Sequence, residues 1–148
     1  SASDEFVKKC QSLTKGPYPG LKIIVTAGKQ GAFAFAEGHY DFCPAPEVPV
    51  VSTAGAGDAL LGGVLSALAA GMPFLPPGSV RRSQNERLVT SAFELGVLLG
   101  SYKVTSPHTI HPSACLDSLL KFGADRGIEF SSEITTRMVE SSRPCVTP

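Results

Sequence analysis

Residues 52–58 read Ser-Thr-Ala-Gly-Ala-Gly-Asp, a run of small residues between an extended, proline-bounded segment and an uncharged apolar stretch. Nothing else in the chain restricts the fold so tightly, because the residues on either side follow different periods. Upstream, β-branched and aromatic runs predict strands at 21–25 (ending at Thr26), 32–36 and 39–43, with turns at 27–31 and at Glu37-Gly38. Pro44 and Pro46 confine their segment to an extended connection or a sheet edge, and 48–51 runs extended into the small-residue run. Downstream, 59–70 predicts a buried helix with a stripe of Leu61, Val64, Leu65 and Leu68. Its Gly62 and Gly63 cost roughly 1 kcal/mol each relative to Ala, which points to close backbone packing.

A first helix is expected over 4–13, a long one over 85–100, and another from Pro112 or Ser113 through Phe122, with Gly123 near its end. Residues 102–105 read as a short strand or the end of the long helix. Strands first, helices second and a glycine-rich junction between them make an α/β chain with helices laid on a sheet. Residues 1–130 form the folded part, and the polar stretch 131–148 is expected to be loose.

Composition removes several function classes. The 148 residues are 43% hydrophobic and 18% charged, enough for a core and unlike a disordered segment. Thirteen basic and thirteen acidic residues cancel, so no net field draws nucleic acid or an anionic membrane. Residues 59–80 carry no charge, but Pro73, Pro76 and Pro77 break the stretch, so it is read as a short buried helix and not a membrane span. Cys10, Cys43, Cys115 and Cys145 lie far apart, which predicts idle reduced thiols and a cytoplasmic protein, with no disulfide framework.

The small-residue run carries the chemistry. Amides at a helix start lack intrahelical partners and gain partial positive charge from the helix dipole. Gly55 and Gly57 let an anion approach them. Asp58 stands beside that anion site in the first turn, where a carboxylate would be repelled by a bound phosphate unless it had work to do. Taking a proton from an attacking hydroxyl is such work. Without that context, Asp58 would be read as a first-turn residue complementing the dipole.

Residues 52–58 resemble the second signature of the ribokinase (PfkB-type) carbohydrate kinases, Asp-Thr-x-Gly-Ala-Gly-Asp, and 59–71 is similar to the helix after it. Residues 25–32, Val-Thr-Ala-Gly-Lys-Gln-Gly-Ala, resemble that family's Val-Thr-x-Gly-x-x-Gly-Ala segment beside the nucleotide. The likeness spans roughly residues 4–120. It implies the C-terminal part of a three-layer α/β/α sandwich that moves the γ-phosphate of ATP to a hydroxyl of a sugar, sugar acid or nucleoside. It implies Asp58 as general base, and the amides of Ala56, Gly57 and Asp58, with Gly55 at the turn, as the phosphoryl cradle. Thr26 and Gly28 would line the ATP site, and Mg²⁺ would arrive with the nucleotide. Ser52 replaces the family's first Asp, which helps bind a monovalent cation, so the likeness does not carry a potassium requirement over. Family members are longer, so an N-terminal half supplying most of the acceptor site is expected as a partner. Self-association stays open. The competing reading is a regulatory or interaction module that keeps the fold without turnover.

Other motifs carry less. Position 60 is Leu, so Gly55 and Gly57 do not start a dinucleotide-binding G-x-G-x-x-G, and no P-loop pattern occurs. His108 and His111, bracketed by Pro107 and Pro112, are read as loop histidines on the surface or near the nucleotide, not a metal pair. Arg81, Arg82 and Arg87 are expected on a solvated helix start with Glu86, Lys29 in an exposed turn, and Phe33 and Phe35 in the core.

Overall fold

The alternation of Phe33 and Phe35 with Ala32, Ala34 and Ala36 gives one strand two different faces. In the computed structural model, which describes residues 2–78, 87–111 and 113–141, this strand is β2 (Gly31–Ala36). It is the middle of an antiparallel sheet with β1 (Lys22–Thr26) and β3 (His39–Pro44). Val25 lies opposite Phe33, and Phe33 opposite Phe42. The phenylalanine face meets α1 (Ala2–Lys15): Phe6 stands edge-on to Phe35 with centroids 6.4 Å apart, and Phe35 is fully buried. The alanine face is small enough for helices to approach closely, and Ala32 and Ala34 join the main core there.

Glu37 (φ 51°) and Gly38 (φ 77°) close the β2–β3 hairpin as a two-residue turn with both residues left-handed, the geometry that matches strand twist. Helix α1 clamps that turn. The Gly38 N–H donates to Thr14 Oγ1, and Gln11 Nε2 donates to the Gly38 carbonyl, each at 3.1 Å.

The second half consists of α2 (Ala56–Ala69), β4 (Arg87–Val89), α3 (Ala92–Lys103), α4 (Leu116–Ala124), β5 (Ile128–Phe130) and α5 (Ser132–Ser141). Helix α3 touches β2 and β3, and α2 packs along α3, so helices cover both faces of the sheet. This is the α/β layering expected. The main core joins Val64 and Ala67 of α2, Phe93, Leu95, Val97 and Leu98 of α3, and Leu119 and Phe122 of α4.

Several local expectations are corrected. The buried face of α2 is Leu60, Gly63, Val64 and Ala67, whereas Leu61 and Leu65 are 51% and 56% exposed. Close packing sets that face: a Cβ on Gly63 would stand 3.0 Å from Gly96 Cα, while one on Gly62 would meet nothing within 4 Å. The long helix expected over 85–100 begins only at Ala92, because Ser91 caps it by accepting from the Glu94 N–H at 3.3 Å. Arg87–Val89 is a strand instead, paired in parallel with β5, which local patterning did not suggest. The Arg87 guanidinium donates to the Pro44 carbonyl, not to a solvated helix start; Arg81, Arg82 and Glu86 lie outside the described residues. Residues 102–105 end α3 and form no strand. The helix expected from Pro112 or Ser113 begins at Leu116; Pro112 itself is outside the described residues. The stretch expected to be loose holds α5, whose Ile134 is fully buried. Cys10 and Cys43 are buried, but Cys115, half-buried ahead of α4, is disulfide-bonded, against the expectation of idle thiols. Among the described residues no helix is long and apolar enough to cross a membrane.

Candidate active site

Helices α2 and α3 run antiparallel, because Gly100 approaches Ala56 and Leu60 while Gly96 approaches Leu60 and Val64. The positive end of α2 therefore shares one edge of the molecule with the negative end of α3. The chain enters α2 through a fixed turn. Val51 and Ser52 both donate their N–H groups to the Val104 carbonyl, at 2.8 and 3.2 Å. The Ser52 hydroxyl accepts from the Ala54 N–H at 3.3 Å. Gly55 then adopts φ 80° and ψ 2° as the N-cap of α2. A side chain at Gly55 would collide with Thr109, whose carbonyl oxygen would be 2.4 Å from its Cβ. Glycine is required both for the left-handed backbone and for the space.

This turn distributes the helix-start amides. The Ala56 N–H is taken by the Thr53 carbonyl at 3.2 Å, and the Ala59 N–H by Gly55 at 2.9 Å. No protein acceptor among the described residues takes the N–H of Gly57 or Asp58. Of the three amides expected to cradle a phosphoryl group, two are open. The third closes the turn that creates the site. Asp58 lies in the same first turn and is exposed, so its carboxylate stands at the surface beside the open amides.

Thr26 and Gly28 occupy a different element. Thr26 ends β1 opposite Ala32, and Gly28 (φ 56°) begins a 3₁₀ turn, Gly28–Gln30. Both are exposed, as is Lys29, and no hydrogen bond joins them to residues 55–58. Phe33 is half-buried and tilted against Phe42 at 4.7 Å between centroids, within the sheet.

The shared edge also carries a cation that the sequence did not single out, beside the two loop histidines that it did. Lys103, in the last turn of α3, is 2% exposed, and its Nζ donates to the Ser52 carbonyl at 3.1 Å. His111 stacks on Tyr102 with centroids 4.1 Å apart, while His108 is exposed two residues beyond Ser106, whose hydroxyl accepts its N–H. Partial burial holds the His111 imidazole below the usual histidine range, and the charges of Lys103 and His108 push it the same way. Its Nδ1 accepts from the Ser113 N–H at 3.2 Å, a bond available only to the unprotonated nitrogen. The 105–111 segment thus covers the junction through Thr109. A lysine in a last helical turn was a visible signal, but its burial was not, since such residues ordinarily reach solvent.

The sequence profile of the pfkB family carbohydrate kinases matches residues 3–114, about three quarters of the chain. This chain belongs to the pfkB family of carbohydrate kinases. A fructokinase of Klebsiella pneumoniae is 42% identical over 74 residues. That match takes in 49% of this pfkB-family chain and 24% of the fructokinase, so the chain spans about a quarter of that relative's length. The family match contains the whole α2 junction together with β1 and its following turn.

Proposed function

We propose that this pfkB-family chain is the phosphoryl-transfer part of an ATP-dependent sugar kinase, with Asp58 as general base. The observation that carries this is the open pair of N–H groups on Gly57 and Asp58 at the start of α2, with the Asp58 carboxylate in the same turn. Unpaired amides at a helix start suit phosphoryl oxygens, and they suit them best where charge accumulates during transfer. In the step proposed, the acceptor hydroxyl gives its proton to Asp58 and its oxygen bonds to the γ-phosphorus. The bond from that phosphorus to the β–γ bridging oxygen breaks, and ADP leaves. The transfer otherwise needs alignment and charge stabilisation more than covalent help from the protein.

Thr26 and the Gly28–Gln30 turn are proposed as the wall of the ATP site, and the amides of Gly57 and Asp58 as the phosphoryl cradle. Ala56 supports that cradle through its bond to Thr53. Among the described residues no three His, Cys, Asp or Glu side chains gather for a metal ion. Mg²⁺ would therefore be held through nucleotide phosphates and water, its usual preference. The acceptor pocket is assigned to the rest of the enzyme, and the likeness to a fructokinase makes fructose the first acceptor to try. A cytoplasmic location belongs to the same proposal.

The test is turnover by the complete enzyme carrying this chain, followed as ADP release with Mg-ATP and a panel of sugars and nucleosides. Asp58→Asn should lower kcat by about 10²–10⁴ while leaving KM for ATP nearly unchanged. Full turnover in Asp58→Asn removes the base assignment. Absence of turnover with every acceptor in the wild type favours a regulatory module instead.

A further inference from the structure

Lys103 is a buried ammonium with an unusual partner. Burying a charge is costly unless it is compensated, and a lysine at a helix end ordinarily extends its ammonium to water. Here Nζ turns inward to the Ser52 carbonyl at 3.1 Å, and no carboxylate among the described residues pairs with it. The negative end of α3 supplies part of the compensation. Ser52 is three residues ahead of Gly55, and its other groups are committed: its N–H to Val104 and its hydroxyl to Ala54. The ammonium therefore sits directly behind the turn that presents the Gly57 and Asp58 amides. Its field reaches this edge, since it helps hold down the protonation of His111.

A monovalent metal ion does not fit this arrangement. Ser52 offers no carboxylate, and its carbonyl oxygen already accepts from the Lys103 ammonium. An ion placed there would face the ammonium at short range, and two like charges that close repel strongly away from bulk water.

We propose that Lys103 is a tethered monovalent cation for the phosphoryl-transfer turn: its ammonium fixes Ser52 and adds positive charge behind the α2 start, making the enzyme independent of potassium. This rests on the kinase reading above. Lys103 is a positioning residue, acting through the Ser52–Gly55 turn and not on substrate.

The experiment pairs two readouts that separate this inference from that reading. The first is thermal unfolding of the chain in chlorides of K⁺, Na⁺, NH₄⁺ and tetramethylammonium at matched ionic strength, which needs no turnover. The wild type should unfold at one temperature in all four. Lys103→Ala should unfold lower and be raised selectively by K⁺ and NH₄⁺, which can enter the space left by the ammonium. The second is turnover of the complete enzyme in the same salts. Wild-type kcat should vary by no more than about twofold at equal screening. Lys103→Ala should lose at least about tenfold in kcat and recover it in K⁺ or NH₄⁺ but not in tetramethylammonium. A potassium-specific rise in wild-type unfolding temperature or turnover overturns the inference, even if Lys103→Ala fails to fold. So does loss in Lys103→Ala that no small cation repairs. An enzyme inactive in every salt defeats the kinase reading, while the unfolding series still decides between tethered and bound cation.

Discussion

Gly63 and Gly96 meet where α2 crosses α3, so closely that a Cβ on Gly96 would stand 2.5 Å from Val64 Cγ2 and 2.7 Å from the Leu60 carbonyl. The contact brings the helices together without intervening side chains and so sets where the start of α2 lies. Gly96→Ala must separate the helices or displace Val64. We expect it to destabilise the chain by about 1–3 kcal/mol. Gly62→Ala is the matched control, since its Cβ would meet nothing within 4 Å. It should stabilise by up to about 1 kcal/mol through helix propensity. Unfolding midpoints should move in opposite directions, by about 2–4 °C per kcal/mol for a chain of this size.

The start of α3 depends on Ser91, which is buried and accepts from Glu94, while Glu94 Oε1 accepts from the Thr90 N–H and from the Thr90 and Ser91 hydroxyls at 3.0–3.1 Å. Ser91→Ala removes the cap and one donor to a buried carboxylate. A loss of about 1–2 kcal/mol is expected in urea unfolding, with the slope unchanged. Ser91→Thr keeps the hydroxyl and should recover much of that loss. Equal losses in the two variants would mean that packing, not the cap, fixes the helix start.

How far the sequence could be read depended on whether the deciding interaction was local. Strand alternation at 32–36 and the Glu37-Gly38 turn are local, and the hairpin formed as expected. The Ser91-x-x-Glu94 cap is local too, yet the apolar run around it hid the boundary, because nearly every residue of α3 is buried and no polar face marks its period. In α2, Leu60, Leu61, Val64 and Leu65 are all apolar, so periodicity could not choose the inward face; the glycines of α3 chose it. The pairing of 87–89 with 128–130 joins three-residue strands across a long separation, which leaves no local pattern. The site divides similarly. Gly55 and Asp58 could be put forward as candidates from the sequence because helix-start chemistry is written in consecutive residues. Lys103, Val104 and Thr109 reach the junction only through the return of α3 and the loop after it.

Gly55→Ala tests whether the turn geometry matters beyond stability. The substitution would meet Thr109 and would also strain a left-handed backbone by about 1–2 kcal/mol. Gly57→Ala has the opposite profile, with an exposed site, no neighbour within 4 Å of the new Cβ and no positive φ. Both should weaken binding of a non-hydrolysable Mg-ATP analogue measured by calorimetry, but only Gly55→Ala should also lower the unfolding temperature. Unchanged affinity in Gly57→Ala would mean that phosphate does not approach the Gly57 amide.

His111 supplies a pH-dependent signature of the same edge. Its folded-state pKa lies below its ordinary value of about 6.5, so the folded chain favours the neutral ring. Between the lowered and the ordinary value the unfolded chain binds more protons, and stability there rises with pH. The contribution is complete above the ordinary value and is lost as pH falls through the folded one. Because the ring is only partly buried, the effect is screened by solvent and should be modest. Unfolding free energies between pH 5 and 8 should thus fall more steeply toward acid in the wild type than in His111→Gln. Lys103→Met should raise the His111 titration followed by proton NMR, since it removes a nearby positive charge. A His111 titration unmoved by that substitution would mean that the Lys103 charge does not reach the loop over Gly55.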